Sequence, residues 1–136
     1  MKKILVVEDC NMKYEDIKNN LDSIAEFEVV WVKTRNEAIS EIYNNHFDIV
    51  ILDMQFPSLI GGEMLRDGGL QVLERMNRRG RKFPVIVCSS SCTKIPEEYE
   101  NVVGYIVYGG MGNLGNYLKH YIESALGGEV NESNGI

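Results

Sequence analysis

Five short runs rich in valine and isoleucine constrain this chain more than anything else in it: Lys3 to Val7, Glu28 to Val32, Asp48 to Leu52, Phe83 to Cys88 and Val103 to Tyr108. They are continuous rather than alternating. A strand that is apolar on both faces stays out of water only in a parallel sheet covered by helices on each side. Helical spacing fills the intervals, with Ile17, Leu21 and Ile24, then Ala38, Ile39 and Ile42, then Leu70, Leu73 and Met76, then Leu114, Leu118, Tyr121, Ile122 and Ala125. Thr34 and Glu37 have the spacing of a capping box, Gly80 and Gly127 fit helix stops, and a short fourth helix is expected near Pro96 to Asn101. Strand followed by helix, repeated five times, predicts an α/β domain of three layers around a five-stranded parallel sheet with right-handed crossovers.

A chain of 136 residues is about the size of one such domain. Its 14 basic and 20 acidic residues give a net charge of −6, which repels phosphate backbones and anionic lipid surfaces. Direct binding to nucleic acid or membrane is not expected. The apolar run Ile4 to Val7 is too short for a signal peptide or a membrane span. Three cysteines, Cys10, Cys88 and Cys92, are an odd number in a chain with no export signal, so reduced thiols in the cytoplasm are expected. Cys88 and Cys92 have no further Cys or His nearby, and read better as small packed residues than as a metal or redox pair. The globular domain is expected over residues 1–126, followed by a polar, glycine-rich tail at 127–136.

In a doubly wound parallel sheet, chemistry gathers at the carboxyl ends of the strands. The first run ends in Glu8 and Asp9, the third in Asp53 and the fourth in Ser89. Three carboxylates drawn to one edge repel one another if bare, which suits a hard divalent cation with oxygen ligands, Mg²⁺ above all. An Asp in that group can attack a phosphoryl group, and a hydroxyl at Ser89 can donate to a phosphoryl oxygen.

On these residues the sequence resembles the receiver domains of two-component response regulators, which have a flavodoxin-like fold. The matching segments are Lys3 to Asp9, Phe47 to Pro57, Phe83 to Ser90 and Gly104 to Val107. The resemblance implies that Asp53 is the phosphoacceptor, supplied by a phosphohistidine of a sensor histidine kinase or phosphotransfer protein. It implies that Glu8 and Asp9 hold Mg²⁺ together with Asp53, and that Gln55 offers the metal a backbone carbonyl. Ser89 takes the place of the switch hydroxyl and Tyr105 that of the aromatic that turns with it, although a strand aromatic that simply packs fits Tyr105 equally well. Gln55 and Ser91 fall at the two variable positions that tune phosphate lifetime.

The pattern breaks at two places. The family's Lys-Pro pair after the fifth strand is Tyr108-Gly109 here, so the acid cluster lacks its usual extra positive charge. The segment Gly109 to Gly115 formally contains G-x-G-x-x-G, but no strand or acid follows at the distance a dinucleotide fold requires. This loop, with Tyr108 or Lys94, is one candidate to replace the missing ammonium, and a loop that only reshapes the surface is the other. The second break follows Pro57: either the family's Asp-Gly pair is Asp67-Gly68, reached only after the nine residues Ser58 to Arg66, or Gly61 takes the glycine's role and Gly68-Gly69 would break the third helix, and either way about seven extra residues stand beside the acceptor. The expected function is a stand-alone receiver that signals through an unidentified protein partner and is not a turnover enzyme. The alternative is a receiver-like interaction module whose output is independent of phosphate.

Overall fold

The computed structural model describes residues 1–91 and 93–127. Cys92, and the expected tail beyond Gly127, lie outside the described residues. The elements run β1 (Lys2–Val7), α1 (Asn11–Ile24), β2 (Phe27–Val32), α2 (Arg35–Asn44), β3 (Ile49–Leu52), β4 (Phe56–Pro57), β5 (Met64–Leu65), α3 (Gly68–Arg78), β6 (Val85–Ser89), β7 (Val102–Val107) and α4 (Leu114–Ala125). Five strands pair in parallel in the order β2-β1-β3-β6-β7. The order reverses direction at β1 and β3, and the ends of those two strands open the crevice in which such sheets bind ligands.

Period-two alternation divides the apolar runs between two cores. Ile4, Val6, Ile49, Ile51, Ile86 and Cys88 pack on Ile17 and Leu21 of α1 and on Leu118 and Ile122 of α4. Leu5, Val7, Val50, Leu52, Val85 and Val87 pack on Ala38 and Ile42 of α2 and on Val72, Leu73 and Met76 of α3. Each fully buried Leu or Ile contributes roughly 1.5–3 kcal/mol, so a slip of one residue in register would exchange the two cores and is strongly opposed. Thr34 caps α2 as expected, Glu37 N donating to its Oγ1 at 3.2 Å, while the Glu37 carboxylate accepts from the Lys33 amide at 3.2 Å rather than from that of Thr34. No helix among the described residues is long and apolar enough to cross a membrane.

One expectation about local structure needs correction. No helix forms near Pro96 to Asn101; the chain makes turns there instead, Tyr99 N donating to Pro96 O at 3.1 Å and Val102 N to Tyr99 O at 3.2 Å. So short a segment meets the full nucleation cost of a helix, Pro96 lacks an amide hydrogen, and Ile95 and Tyr99 cover the core without one. Of the two readings open for Gly68 and Gly69, the break inside α3 is not found; the pair begins the helix. A Cβ on Gly69 would stand 2.6 Å from the carbonyl oxygen of Asp53, so only glycine lets α3 start directly beneath the end of β3. The extra residues after Pro57 form an antiparallel hairpin, Phe56 opposite Leu65 and Pro57 opposite Met64, turning through Gly61 at φ +77°.

Candidate functional site

The end of β1 is fixed from both sides: Glu8 N donates to Val32 O of β2 at 3.0 Å, and Asp53 N donates to Val7 O at 3.1 Å. These two bonds bring residues 45 apart in sequence to one place. Trp31, stacked on Tyr14 with ring centroids 3.8 Å apart, donates its indole hydrogen to the Glu8 carbonyl at 2.7 Å and braces the same turn. Carboxylate oxygens of Glu8, Asp9 and Asp53 consequently lie within 4.8 Å of one another.

These acids line an open cleft of about 420 Å³ together with Cys10, Lys13, Gln55, Met64, Ser89, Ser90 and Tyr108. The Asp53 side chain is 11 % exposed, enough for a donor to reach it, whereas Glu8 is 2 % exposed. Burial, reinforced by the charge on Asp53, pushes the Glu8 carboxyl up to about 7 despite a neighbouring ammonium. That ammonium belongs to Lys13. Its Nζ is 2.7 Å from Glu8 Oε2 and 3.4 Å from Asp53 Oδ1, and it donates to the Cys88 carbonyl at 2.7 Å. Burial disfavours its charge, but the Asp53 and Glu8 carboxylates outweigh that and hold the ammonium above the usual lysine range.

Asp53 Oδ1 also accepts the Met54 amide at 2.7 Å. Among the described residues, no hydrogen bond or ion pair engages its second oxygen, Oδ2. The donor set is all carboxylate oxygen, hard and anionic, which fits a hard divalent cation; ionised acids and Lys13 together carry −3 and +1, leaving −2 for such an ion to balance. Cys88 is a different case. Burial pushes its thiol up to about 12, so it remains protonated near neutral pH and gives no reactive thiolate.

Ser89 lies at the end of β6, fully buried, and its hydroxyl begins a chain of polar contacts. Ser89 Oγ meets Ser91 Oγ at 3.0 Å, and Ser91 Oγ meets Thr93 Oγ1 at 3.3 Å. Tyr105 on β7 closes the chain: its hydroxyl donates to Ser91 O at 2.5 Å and accepts from Thr93 N at 3.1 Å, while its ring packs against the α2 and α3 core. A serine expected to move and an aromatic expected to follow it therefore hold the same short loop.

Glu8, Asp9, Asp53, Gln55 and Ser89, singled out in the sequence, meet in one cleft; Tyr105 joins through the 89–93 loop. None of the candidates for the missing positive charge places a cation in the cleft. Lys94 is exposed and does not line the cleft, and Gly109, Gly110 and Gly112 line a separate hollow with Asp16 and Tyr117. Tyr108 does reach the cleft, but its hydroxyl donates to Asp16 Oδ2 at 2.9 Å. Lys13 was not named as a site residue, although it stands four positions after Asp9, in the first turn of α1, and that spacing is the signal that could have found it.

A family model described as the response regulator receiver domain matches residues 4–102. The uncharacterized protein y4jS of Sinorhizobium fredii is 35% identical over 78 residues, which is 56% of this chain and 19% of y4jS, so the chain spans only a small part of that relative. A CheY-like response regulator receiver domain protein from Methanospirillum hungatei is similar in structure, with a TM-score of 0.72 at 20% identity over 95% of this chain and 97% of that one. The response regulator protein TrrA from Thermotoga maritima, solved in complex with Mg²⁺-BeF, gives a TM-score of 0.68 at 22% identity over 92% and 99%. At such identities the structural likeness bears on the fold alone. The family match spans the sequence that carries Glu8, Asp9, Asp53 and Ser89, and the chain belongs to the response regulator receiver domain family.

Proposed function

We propose that this receiver domain is a phosphoacceptor: Asp53 takes a phosphoryl group from a phosphohistidine of a sensor histidine kinase or phosphotransfer protein. Glu8, Asp9 and Asp53 would hold Mg²⁺ together with the Gln55 carbonyl, and the ion would supply positive charge that screens the incoming phosphoryl oxygens. The observation that carries this reading is Asp53 itself, reachable at 11 % exposure, one oxygen fixed by the Met54 amide and two more carboxylates beside it. A bond forms from an Asp53 oxygen to phosphorus as the bond from phosphorus to the donor breaks, and the electron pair leaves with the donor. Ser89 then turns its hydroxyl toward the new phosphoryl oxygens, giving up Ser91, and the loop that holds Tyr105 loosens. The output is a changed protein contact rather than turnover.

Incubation with Mg²⁺ and acetyl phosphate, followed by intact mass, tests the proposal. A phosphoryl mass gained by the wild type and absent from Asp53→Asn is expected. The rival reading, an interaction module independent of phosphate, draws on Tyr108, whose hydroxyl is committed to Asp16 where the family places a lysine. No mass gain in the wild type would favour it.

A further inference from the structure

Burying an ammonium is costly unless its charge is met and its hydrogens are used. Lys13 is only 7% exposed; its Nζ donates to the Cys88 carbonyl and is ion-paired with the Glu8 and Asp53 carboxylates. Its stem rises from α1 one turn after Asp9, and Ile17 and Leu21 on the same helix are locked in the core, so the ammonium has little freedom to leave. Of the described side chains that line the cleft, Lys13 alone is cationic. The ring of Tyr108 lies 5.2 Å from its Nζ, so the fifth strand of the sheet approaches the same point without supplying a charge.

We infer that Lys13 is a catalytic residue of phosphoryl transfer, a cation on the first helix that clamps the Asp53 carboxylate and then neutralises the phosphoryl group attached to it. The inference rests on the phosphoacceptor reading above. Transfer replaces the single charge of the carboxylate by a phosphoryl group carrying close to two, so the need for a contacting cation grows as the reaction proceeds. Lys13 touches the acceptor before the donor arrives and needs no rearrangement to meet that demand. Its contact with Glu8 also keeps a buried acid from repelling the acceptor.

The test compares wild type with Lys13→Met, which keeps the stem and removes the charge, and with Lys13→Gln should the first variant fail to fold. Binding of Mg²⁺ alone is followed through the fluorescence of Trp31, whose indole is bonded to the Glu8 carbonyl. Phosphoryl uptake from acetyl phosphate is followed by intact mass. The expected result is Mg²⁺ affinity no weaker than wild type, because a repelling charge is gone, with phosphoryl uptake slowed roughly 100-fold, the size of effect seen when one charge-stabilising donor is lost. Adding Tyr108→Lys to Lys13→Met is expected to restore part of the rate, since position 108 reaches the same place. Uptake at the wild-type rate in a folded Lys13 variant overturns the inference, as does loss of Mg²⁺ binding in parallel with uptake, which would make Lys13 a prop of the site. A wild-type chain that never gains the phosphoryl mass overturns the phosphoacceptor reading, and this inference falls with it.

Discussion

Replacing Gly69 by alanine tests how tightly the acceptor is held from below. The added Cβ would stand 2.3 Å from the Met54 Cε, 2.6 Å from the Asp53 carbonyl oxygen and 2.8 Å from the Met54 Cα. The methionine tip can swing away, but the other two atoms are backbone at the end of β3. Overpacking of this kind costs typically 1–3 kcal/mol, and backbone obstruction places it near the upper end. Alanine returns about 1 kcal/mol of helix propensity, so the net destabilisation is about 2 kcal/mol. For a domain of this size that corresponds to a fall in Tm of about 6 °C. Gly115→Ala in α4 is the control, because its Cβ would meet side-chain rather than backbone atoms, the Asn20 Oδ1 at 2.5 Å and, at 3.1 Å, the Asn113 Oδ1 that caps the helix. Its stability should remain within about 1 kcal/mol of wild type. Thermal unfolding of both variants provides the comparison, with Trp31 fluorescence reporting weaker Mg²⁺ binding in Gly69→Ala as Asp53 shifts. If Gly69→Ala proves as stable as Gly115→Ala and binds Mg²⁺ like wild type, the close seat of α3 beneath Asp53 does not position the acceptor.

Two further outcomes are expected. Thr34→Ala removes the hydroxyl that accepts from the Glu37 amide and should lower stability by about 1 kcal/mol in urea unfolding; an unchanged midpoint would show the cap to be idle. Because burial pushes the Cys88 thiol up to about 12, it is protonated at pH 8, and iodoacetamide on the folded protein should label exposed Cys10 while sparing Cys88 until urea is added. Peptide mass mapping reads this directly, and labelling of Cys88 at the rate of Cys10 in the native state would contradict it.

The sheet was legible because its strands are written as unbroken Val and Ile runs, and only a doubly covered parallel sheet buries both of their faces. The acid cluster followed from topology, since Glu8, Asp9 and Asp53 each end such a run. Lys13 escaped notice because a lysine on a helix reads as solvated, although its position four before Ile17 puts it on the face that Ile17 and Leu21 pack into the core. Gly68-Gly69 stayed open between two readings because glycine in a helical pattern signals a break unless another backbone passes close by, and the approach of β3 is a tertiary fact. The segment around Pro96 to Asn101 looked helical through its place between two strands, whereas its own residues offer too little to propagate a helix.

Tyr105 grips the main chain of the 89–93 loop, not its side chains: the partners are the carbonyl of Ser91 and the amide of Thr93. Ring position is thereby decoupled from residue identity at positions 91 and 93. Substitutions there can alter what the loop presents to a visiting protein while the tyrosine keeps its anchorage, so surface recognition and internal latch are free to diverge independently.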